Sequence, residues 1–508
     1  MTQDMLGFRL WASSDPDLRA IVTTDDREIS FGELFAEVNR ISHGFSERCG
    51  LVVGDTVACV MTNSPGMIAS YLAAMQSGLY LVTVNYHLTQ HEIAHILADS
   101  GAKVVIASER AEEAVLAAVA PGVRVFVDSG PVSAAPLTTL TEGMSEISPE
   151  ETPAGSLMMY TSGTTGRPKG VKRPLGGIDA DTGALTYKWV FDEFGMERDA
   201  FTAWLVCAPM YHSANLTPAM GALHTGGCIV LMDGWTPEGF LARVQDQRVS
   251  GTSMVPTHFN RLLQLPQAVR ESYDLGSLRY VIHGAAPCAP EVKQQILDWF
   301  GPVVFEYYGS TEVGTTIARP HEWLAHPGTV GRPASISTLK ILDADGKEVP
   351  VGQDGIVYMR QGDDKIEYHN DPGKTDGARH EGLLTVWDVG HVDEDGFLYI
   401  TGRASDMILV GGVNVYPAEI EAALLTHPAV ADAGVVGVAD PDLGETPVAH
   451  VVLAEDADAD TVDDLRAFLA QRLAKPKLPS AYVVHAQLPR DPNGKLYKAR
   501  LSTDPIGA

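Results

Sequence analysis

Residues 160–170 read Tyr-Thr-Ser-Gly-Thr-Thr-Gly-Arg-Pro-Lys-Gly, and they directly follow an apolar stretch, 156–160, that predicts a β-strand. Glycine lets backbone N–H groups approach an oxyanion, and hydroxyl side chains donate hydrogen bonds to phosphate oxygens. The spacing differs from the Walker loop GxxxxGK[ST]. The stretch therefore predicts a phosphate-binding loop after a strand. Its candidate ligands are Thr161, Ser162, Gly163, Thr164, Thr165, Gly166 and Lys169.

The residues before this loop alternate between helical and strand patterns. Strands that alternate with helices of 10–15 residues indicate crossover connections and a mainly parallel sheet covered on both faces. The Pro- and Thr-rich stretch 131–152 predicts a surface excursion between two such layers. The predicted elements are helices at 31–48, 67–77 and 94–100, and strands at 56–61, 80–85 and 103–107.

The pattern changes after about residue 337, where short strands are joined by Gly/Asp turns and predict a small, more antiparallel subdomain. A compact α+β lobe follows. We therefore predict an α/β fold: a large N-terminal domain (1–402) of layered, mainly parallel sheets with helices plus a small barrel-like β subdomain, and a small mobile α+β C-terminal domain (403–508). The predicted strands are 339–343, 355–360, 387–392, 397–401, 433–438 and 447–453, with helices 417–425 and 461–473.

Composition excludes several classes of protein. The 508 residues include 37 Lys and Arg against 65 Asp and Glu, a formal net charge of −28, which argues against nucleic acid as a partner. Residues 61–91 carry no charge but are interrupted by polar residues and Gly78, so we predict no transmembrane segment. The N-terminus lacks a signal-peptide pattern, and five dispersed cysteines indicate a reducing compartment. We expect a cytoplasmic protein.

Stretch 160–170 resembles the phosphate-loop signature of the adenylate-forming superfamily, which comprises acyl-CoA synthetases, peptide-synthetase adenylation domains and luciferases. Further blocks that are similar to those of the family follow in the family's order, so the resemblance extends from about residue 31 to residue 500. These blocks are Pro-Met-Tyr-His (209–212), Gly-Ala-Ala-Pro (284–287), Tyr-Tyr-Gly-Ser-Thr-Glu (307–312), Trp-Asp-Val-Gly (387–390), Gly-Arg (402–403), the Gly-Gly block (411–421) and the block that ends in Gly-Lys (488–495).

The resemblance implies a site for ATP and Mg²⁺. Tyr308 would stack on adenine, Asp388 would bind the ribose hydroxyls, and Thr311 would bond a phosphate oxygen. An oxygen ligand suits a hard cation, so Glu312, with Thr161, would hold Mg²⁺. The implied ATP-binding residues are Thr161, Ser162, Gly163, Thr164, Thr165, Gly166, Lys169, Gly284, Ala285, Ala286, Glu306, Tyr307, Tyr308, Gly309, Ser310, Thr311, Asp388, Ile400, Arg403 and Lys495.

The same resemblance implies the other parts of the site. Catalytic roles fall to Lys495, Glu312, Thr161 and His212. The hinge between the domains would lie at Ser405 and Asp406, although the family usually has Asp or Lys where this chain has Ser405. Tyr307 also departs from the family, in which Gly is frequent at that position. The implied acyl pocket comprises His212, Leu216, Thr257, His283, Gly284, Tyr307 and Gly309, and the tunnel for CoA is formed by Gly411 and Gly412.

The implied reaction is an ATP-dependent acid–CoA ligation. A carboxylate attacks the α-phosphorus of ATP, pyrophosphate leaves, and the CoA thiol then attacks the acyl-adenylate after the C-terminal lobe rotates. We expect a medium- or long-chain fatty acid, with an aryl or steroid-side-chain acid as the alternative. The expected partners are thus a small carboxylic acid, ATP and CoA, and a homodimer is common in the family.

Three other functions compete with this interpretation. An amino-acid-activating domain would need an acidic residue after His212, where Ser213 to Leu216 stand instead. An acyl-AMP ligase that does not use CoA usually carries an insertion before the hinge, and none is seen between 385 and 402. A non-enzymatic binding module would be favoured if Lys495, Glu312 or Asp388 were missing, and all three are present.

Overall fold

A computed structural model describes residues 7–130, 133–150, 153–162, 168–196, 202–310, 313–362, 367–368, 379–454, 457, 461–491 and 494–501. The described chain packs into two compact units. The first comprises 7–253, 276–279 and 367–368, and the second comprises 254–275, 280–362 and the residues from 379 onward.

In the first unit and its immediate continuation, the strands are β1 (Arg19–Val22), β2 (Glu28–Ser30), β3 (Thr56–Val60), β4 (Tyr80–Thr83), β5 (Ala102–Ala107), β6 (Arg124–Val127), β7 (Ala135–Pro136), β8 (Ser156–Leu157), β9 (Met159–Ser162), β10 (Pro168–Lys172), β11 (Ala203–Val206), β12 (Cys228–Leu231) and β13 (Gly251–Met254). The strands that follow are β14 (Tyr280–His283), β15 (Val304–Gly309), β16 (Thr315–Ala318), β17 (Arg332–Pro333), β18 (Ser337–Leu342), β19 (Gly355–Gln361), β20 (Glu367–Tyr368), β21 (Arg379–His380), β22 (Leu383–Leu384), β23 (Asp388–Val392), β24 (Leu398–Arg403), β25 (Ile408–Val410), β26 (Val413–Val415), β27 (Val430–Asp440), β28 (Gly444–Leu453) and β29 (Ala481–Val484).

The helices are α1 (Phe8–Ser14), α2 (Phe31–His43), α3 (Pro65–Gln76), α4 (Gln90–Ser100), α5 (Glu112–Ala118), α6 (Leu137–Thr141), α7 (Ala180–Gly183), α8 (Leu185–Phe194), α9 (Ser213–His224), α10 (Pro237–Asp246), α11 (Pro256–Leu263), α12 (Gln267–Arg270), α13 (Pro290–Phe300), α14 (Pro320–Ala325), α15 (Pro417–Leu425) and α16 (Thr461–Ala470).

The first unit contains the parallel sheets that the alternating pattern predicts. One sheet has the strand order β7-β6-β5-β3-β4-β8, and all of its pairs are parallel. In another, β12 pairs in parallel with both β11 and β1, while β2 adds an antiparallel edge. The strands β3 and β4 are buried along their whole length, as expected for strands covered on both faces.

Local sequence signals fix the ends of the helices beside this sheet. Ser30 and Glu33 form a capping box at the start of α2, and Thr89 and Glu92 form another at the start of α4. Gly101 ends α4 in the left-handed conformation, with φ of 63°, which glycine adopts without a steric penalty. The predicted order of helices and strands before the loop is therefore confirmed.

The second unit confirms the change of pattern after residue 337. A sheet of order β21-β22-β19-β23-β24, with β18 on β19, consists of antiparallel pairs. The residues after 403 have their own sheet, β26-β25-β28-β27 with β29 on β28, and a separate core around Val435, Ile420 and Leu465. This separate core agrees with a C-terminal lobe, and the boundary at 402/403 stays a prediction.

Three sequence predictions need correction. The strand predicted at 156–160 is two strands in different sheets, because β8 pairs with β4 whereas β9 pairs with β10, and the chain changes sheet at the fully buried Met158. The helix predicted at 31–48 is α-helical only to His43 and continues as a π-helix, Gly44–Arg48. The described part of the predicted surface excursion contains β7 and α6, and α6 buries Leu137 and Leu140.

Two further findings bear on the sequence predictions. Within the described ranges, no helix is long and apolar enough to span a membrane. All five cysteines are free thiols. Cys59, Cys207 and Cys228 are buried, while Cys49 and Cys288 are partly exposed.

The buried His224 makes the stability of the first unit depend on pH. Its ring stacks on Tyr187 with 4.7 Å between ring centroids, its Nδ1 accepts a hydrogen bond from the Phe8 N–H, and burial lowers its pKa to about 4. Between its ordinary pKa of about 6.5 and this value the unfolded chain binds a proton that the folded chain does not. The buried neutral ring of His224 therefore contributes its full stabilisation above about pH 6.5, and this contribution to the free energy of unfolding is lost as the pH falls below that value.

We expect His224→Gln to reduce the dependence of the unfolding free energy on pH by about 1.4 kcal/mol per pH unit between about pH 6 and pH 5. Urea denaturation of both proteins at these two pH values measures the slope. Exposed His321→Gln is the matched control and should leave the slope unchanged. An equal slope for His224→Gln and the parent protein would contradict the assignment.

Candidate active site

The residues on either side of the predicted phosphate loop form two neighbouring β-strands in the first unit. The strands β9 and β10 pair antiparallel, with Ser162 opposite Pro168 and Thr161 opposite Lys169. The strand pair is anchored to α4, since the Tyr160 hydroxyl donates to Asp99 Oδ2 at 2.6 Å and His95 Nε2 lies 3.1 Å from the Pro168 carbonyl oxygen. The predicted ligands Gly163, Thr164, Thr165 and Gly166 lie outside the described residues, as do the side chains of Thr161 and Ser162.

His212 is held at the start of α9 among aromatic side chains of the first unit. Its ring lies 4.6 Å from that of Tyr211, which in turn makes an edge contact of 5.5 Å with Tyr86. The Thr83 hydroxyl donates to the Tyr211 carbonyl at 2.8 Å and fixes the backbone there. One turn further along α9, Leu216 is fully buried. This part of the predicted acyl pocket is thus mainly aromatic and apolar.

Four of the remaining acyl-pocket residues, His283, Gly284, Tyr307 and Gly309, lie on or directly after the parallel strands β14 and β15 of the second unit, whereas Thr257 lies on α11. His283 lies opposite Glu306 in the register, so Gly284 follows β14 beside Tyr307. A Cβ added at Gly284 would lie 2.6 Å from Tyr307 Cε1 and 2.6 Å from the Tyr307 carbonyl oxygen. Only glycine therefore fits there while the tyrosine ring lies against the backbone. Burial raises the pKa of the Tyr307 hydroxyl to about 12.

Glu306, the residue before Tyr307, belongs to a buried charge cluster that the sequence did not indicate. Lys293 Nζ, on α13, lies 2.7 Å from Glu306 Oε2, and His283 Nε2 lies 3.5 Å from the same oxygen. Burial raises the pKa of Glu306, while the attraction of Lys293 opposes that rise. Burial and the Lys293 charge lower the pKa of His283, so its imidazole is neutral. The Glu306 side chain is thus buried in contact with Lys293 and His283. The predicted contact of Glu306 with the nucleotide would therefore be made by its main chain.

Asp388 lies at the centre of the predicted ribose site. The Tyr308 hydroxyl donates to Asp388 Oδ2 at 2.7 Å, and Arg403 Nε donates to Oδ1 at 3.2 Å. Burial raises the pKa of Asp388, and Arg403 and Tyr308 partly offset the rise. The antiparallel pairing of β23 and β24 produces this group, because it places Asp388 opposite Arg403 and Ile400 opposite Gly390.

Two non-glycine residues in the predicted blocks have left-handed backbone conformations. Ala285 and Trp387 both have φ of 66°, and such conformations cost about 1–3 kcal/mol each. Trp387 is held there by two hydrogen bonds of 2.9 Å, from its N–H to Thr385 Oγ1 and from the Ala404 N–H to its carbonyl oxygen. This strain adjoins Asp388, and we could not have predicted it from the motif.

The predicted hinge and CoA residues lie near the start of the C-terminal segment. Ser405 and Asp406 belong to a short 3₁₀ helix, Ala404–Asp406, and the Ser405 hydroxyl donates to Asp406 Oδ1 at 3.0 Å. Gly411 and Gly412 form the exposed turn between β25 and β26, with φ of 56° and 86°. Positive φ values at both positions explain why glycines occur here.

Lys495 follows the tip of a hairpin that packs against α11. A Cβ added at Gly494 would lie 2.6 Å from Thr257 Oγ1 and 3.4 Å from Val255 Cγ2, so the hairpin contacts the N-terminus of this helix. Arg490 holds the hairpin through Asp432 on β27. The sequence prediction missed both residues. Their only signal was the position of Arg490 shortly before the predicted lysine.

The structure thus groups the predicted residues by unit. The first unit holds β9 and β10 with Lys169, and it also holds His212 and Leu216. The second unit holds Thr257, Ser310 and the group around Gly284, Tyr307 and Gly309, as well as the Asp388 cluster and Lys495. Ala286 is half-buried beside Gly284. Thr311 and Glu312 lie outside the described residues, so the Mg²⁺ ligands stay predictions.

Comparisons with known proteins match nearly the whole chain to one family. Residues 8–363 match the family described as AMP-binding enzyme, and residues 419–495 match the AMP-binding enzyme C-terminal domain. The chain is 31% identical to a 2-succinylbenzoate–CoA ligase of Bacillus licheniformis, with 96% of this chain and 98% of that protein covered. It is 32% identical to a feruloyl-CoA synthase of an Amycolatopsis species, with 93% of each covered. The solved o-succinylbenzoate CoA synthetase from Bacillus subtilis, in complex with its acyl-adenylate intermediate, is similar with a TM-score of 0.80, 27% identity and 98% of each chain covered.

Proposed function

The chain belongs to the AMP-binding enzyme family, and from this premise we propose that it activates an aryl-type carboxylic acid as its adenylate and transfers the acyl group to CoA. The protein is an AMP-forming, ATP-dependent acid–CoA ligase that uses ATP, Mg²⁺ and CoA. The observation that supports the proposal is the packing of the Lys495 hairpin against α11, where Gly494 contacts the predicted pocket residue Thr257. The proposal that the acid is of the aryl type is based on the packing of the Tyr307 side chain.

The proposed chemistry has two displacements. The carboxylate attacks the α-phosphorus of ATP and pyrophosphate leaves. The CoA thiol, losing its proton, then attacks the acyl carbon and AMP leaves. A carboxylate is a weak nucleophile, so the protein contributes positioning and charge neutralisation rather than covalent catalysis. We assign Lys495 to the carboxylate and α-phosphate, and Lys169 with the loop hydroxyls to the remaining phosphates.

Mg²⁺ would be held by Glu312 with Thr161, and when bound it would neutralise phosphate charge. The nucleoside would rest on Tyr308, with Asp388 accepting hydrogen bonds from the ribose hydroxyls. After adenylation, the segment 403–508 would rotate about Ser405 and Asp406, withdraw Lys495 and present Gly411 and Gly412 to the pantetheine arm.

The aryl class is supported by the shape of the pocket residues. The Tyr307 ring packs against the Gly284 backbone, and a smaller residue at position 307 would leave the space of the ring unfilled. His212 lies in a row of aromatic rings in the first unit. A planar acid gains stacking of about 0.5–1.5 kcal/mol per aromatic contact, which a flexible alkyl chain does not. The relatives named for 2-succinylbenzoate and ferulate carry aryl acids in their names.

A medium- or long-chain fatty acid is the second candidate. The fully buried Leu216 supports it, because an aliphatic side chain in α9 offers an apolar wall. A steroid-side-chain acid is a further alternative that the same experiment tests.

The test is a comparison of kcat/KM for AMP formation across benzoic, cinnamic, medium-chain, long-chain and steroid-side-chain acids, each with and without CoA. We expect an aryl acid to exceed every alkyl acid by at least about tenfold, and turnover to require CoA. The matched variant is Tyr307→Gly, which should lower the ratio of aryl to alkyl activity because it removes the ring that packs against Gly284. A preference of the parent protein for alkyl acids would refute the aryl proposal and leave the ligase chemistry intact.

Asp388→Asn tests the ribose site. The variant keeps the shape of the side chain but removes the charge that Arg403 and Tyr308 face. A hydrogen bond to a charged group contributes about 1.5–3 kcal/mol, so we expect kcat/KM for ATP to fall about 10- to 100-fold with little change in the KM for the acid. Asp354→Asn, in the same unit but on an exposed edge with His391, is the control. An unchanged kcat/KM for ATP in Asp388→Asn would contradict the assignment.

A further inference from the structure

We propose that Arg490 and Asp432 form a clamp that positions Lys495 for adenylation, which makes Arg490 a positioning residue of the first half-reaction. The inference rests on the proposed role of Lys495 and adds to it a pair of residues outside the substrate-binding blocks.

The clamp is a two-point ion pair. Arg490 Nε lies 2.8 Å from Asp432 Oδ2, and Nη2 lies 2.8 Å from Oδ1, so the guanidinium and carboxylate meet in the parallel, fork-like arrangement. The side chains are only 17% and 19% exposed, so solvent screens the pair less than an ordinary surface pair. Arg490 Nη2 also donates to the Ala433 carbonyl oxygen at 3.0 Å, which ties the guanidinium to the backbone of β27.

The same guanidinium reaches the residue before Lys495. Arg490 Nη1 donates to the Gly494 carbonyl oxygen at 2.7 Å, and that carbonyl belongs to the peptide whose N–H is that of Lys495. The Lys495 N–H donates to Asp491 Oδ1 at 2.9 Å, and the Lys495 carbonyl accepts from the Asp491 N–H at 3.0 Å. Arg490 pairs with Leu496 across the hairpin. Hydrogen bonds therefore hold the backbone on both sides of Lys495, and Arg490 connects this backbone to β27.

The packing of Gly494 indicates how the clamp would position Lys495. Gly494 packs against Thr257 and Val255 so closely that a methyl group would clash with the threonine hydroxyl. Movement of Gly494 away from Thr257 and Val255 would also displace Lys495, the next residue in the chain. A displacement of about 1 Å in a catalytic group costs about 100-fold in rate, because the reacting groups lose their alignment. The clamp should thus matter for adenylation and not for thioester formation, which does not use Lys495.

The test compares the two half-reactions in Arg490→Ala, Asp432→Ala and Lys495→Ala, and we expect Asp432→Ala to slow adenylation to the same extent as Arg490→Ala. Adenylation is measured as pyrophosphate released in a single turnover, and thioester formation as acyl-CoA made from supplied acyl-adenylate. We expect Arg490→Ala to slow adenylation about 10- to 100-fold and to change thioester formation less than about twofold. Arg490→Lys should fail to restore adenylation, because a point charge cannot bridge both oxygens and the Gly494 carbonyl. The double variant Arg490→Ala/Asp432→Ala should be no slower than Arg490→Ala alone.

Arg466→Ala is the matched control, since it removes an exposed arginine of the same segment that lies over the Tyr482 ring at 5.3 Å. Equal loss of both half-reactions in Arg490→Ala, or full adenylation activity in that variant, would overturn the clamp. Lys495→Ala separates this outcome from failure of the proposed function. If Lys495→Ala keeps adenylation, the role of the lysine is wrong; if it loses adenylation while Arg490→Ala does not, only the clamp is wrong.

Discussion

Lys495→Ala is expected to slow adenylate formation from acid and ATP by about 100- to 1,000-fold, the range for removal of one preorganised group that stabilises developing charge. It should leave thioester formation from supplied acyl-adenylate nearly unchanged. In the proposed mechanism the lysine would reach the carboxylate and the α-phosphate only while the hairpin at Gly494 packs against α11. Single-turnover measurement of pyrophosphate and of acyl-CoA gives the two rates separately.

The control for this variant is Lys477→Ala, which removes a lysine of the same segment that is paired with Glu419 at 2.6 Å. An exposed pair of this kind contributes little, so both half-reactions should stay within about twofold of the parent protein. Equal losses in the two half-reactions of Lys495→Ala would contradict the assignment, since a structural defect would impair both.

Lys293→Met is expected to lower the free energy of unfolding by about 3–5 kcal/mol. The substitution leaves the buried Glu306 carboxylate without its partner, and an uncompensated buried charge is strongly destabilising. It also removes the ammonium group that lies 4.8 Å from the centre of the Trp323 ring. Denaturation by urea, followed by intrinsic fluorescence, measures the change.

The double variant Lys293→Met/Glu306→Leu should recover most of the loss, because replacing both partners of a buried ion pair by apolar side chains is often neutral or better. Lys340→Ala, which removes a partly exposed lysine of the same unit, should stay within about 0.5 kcal/mol. If Lys293→Met unfolds at the same denaturant concentration as the parent protein, the cluster does not stabilise the unit.

Local signals in the sequence predicted most of the fold. Periodicity located α4 and β5 to within a few residues, and the capping residues Ser30 and Thr89 explain where two helices begin. The predictions were wrong where a distant partner decides the structure. The helix α2 continues as a π-helix at Gly44, where a Cβ would lie 2.6 Å from the Leu140 carbonyl oxygen. Periodicity does not reveal such a contact across 96 residues (140 − 44).

The candidate site could likewise be predicted where local motifs define it and not where distant residues meet. Ordered motifs identified Asp388, Tyr308 and Arg403, which the structure joins by hydrogen bonds. They gave no indication of Lys293 or of the pair between Asp432 and Arg490, because those contacts depend on how α13 and β27 pack. The strained backbone of Trp387 is likewise visible only in three dimensions.

A trapping experiment with radiolabelled acid tests the central claim most directly. The protein is mixed with a labelled aryl acid, ATP and Mg²⁺ without CoA, and CoA is added after one turnover. We predict that labelled acyl-adenylate accumulates to about one equivalent per active site and is converted to acyl-CoA on addition of CoA, with AMP as the nucleotide product. Formation of acyl-CoA without an adenylate, or an adenylate that is hydrolysed and never transferred to CoA, would contradict it.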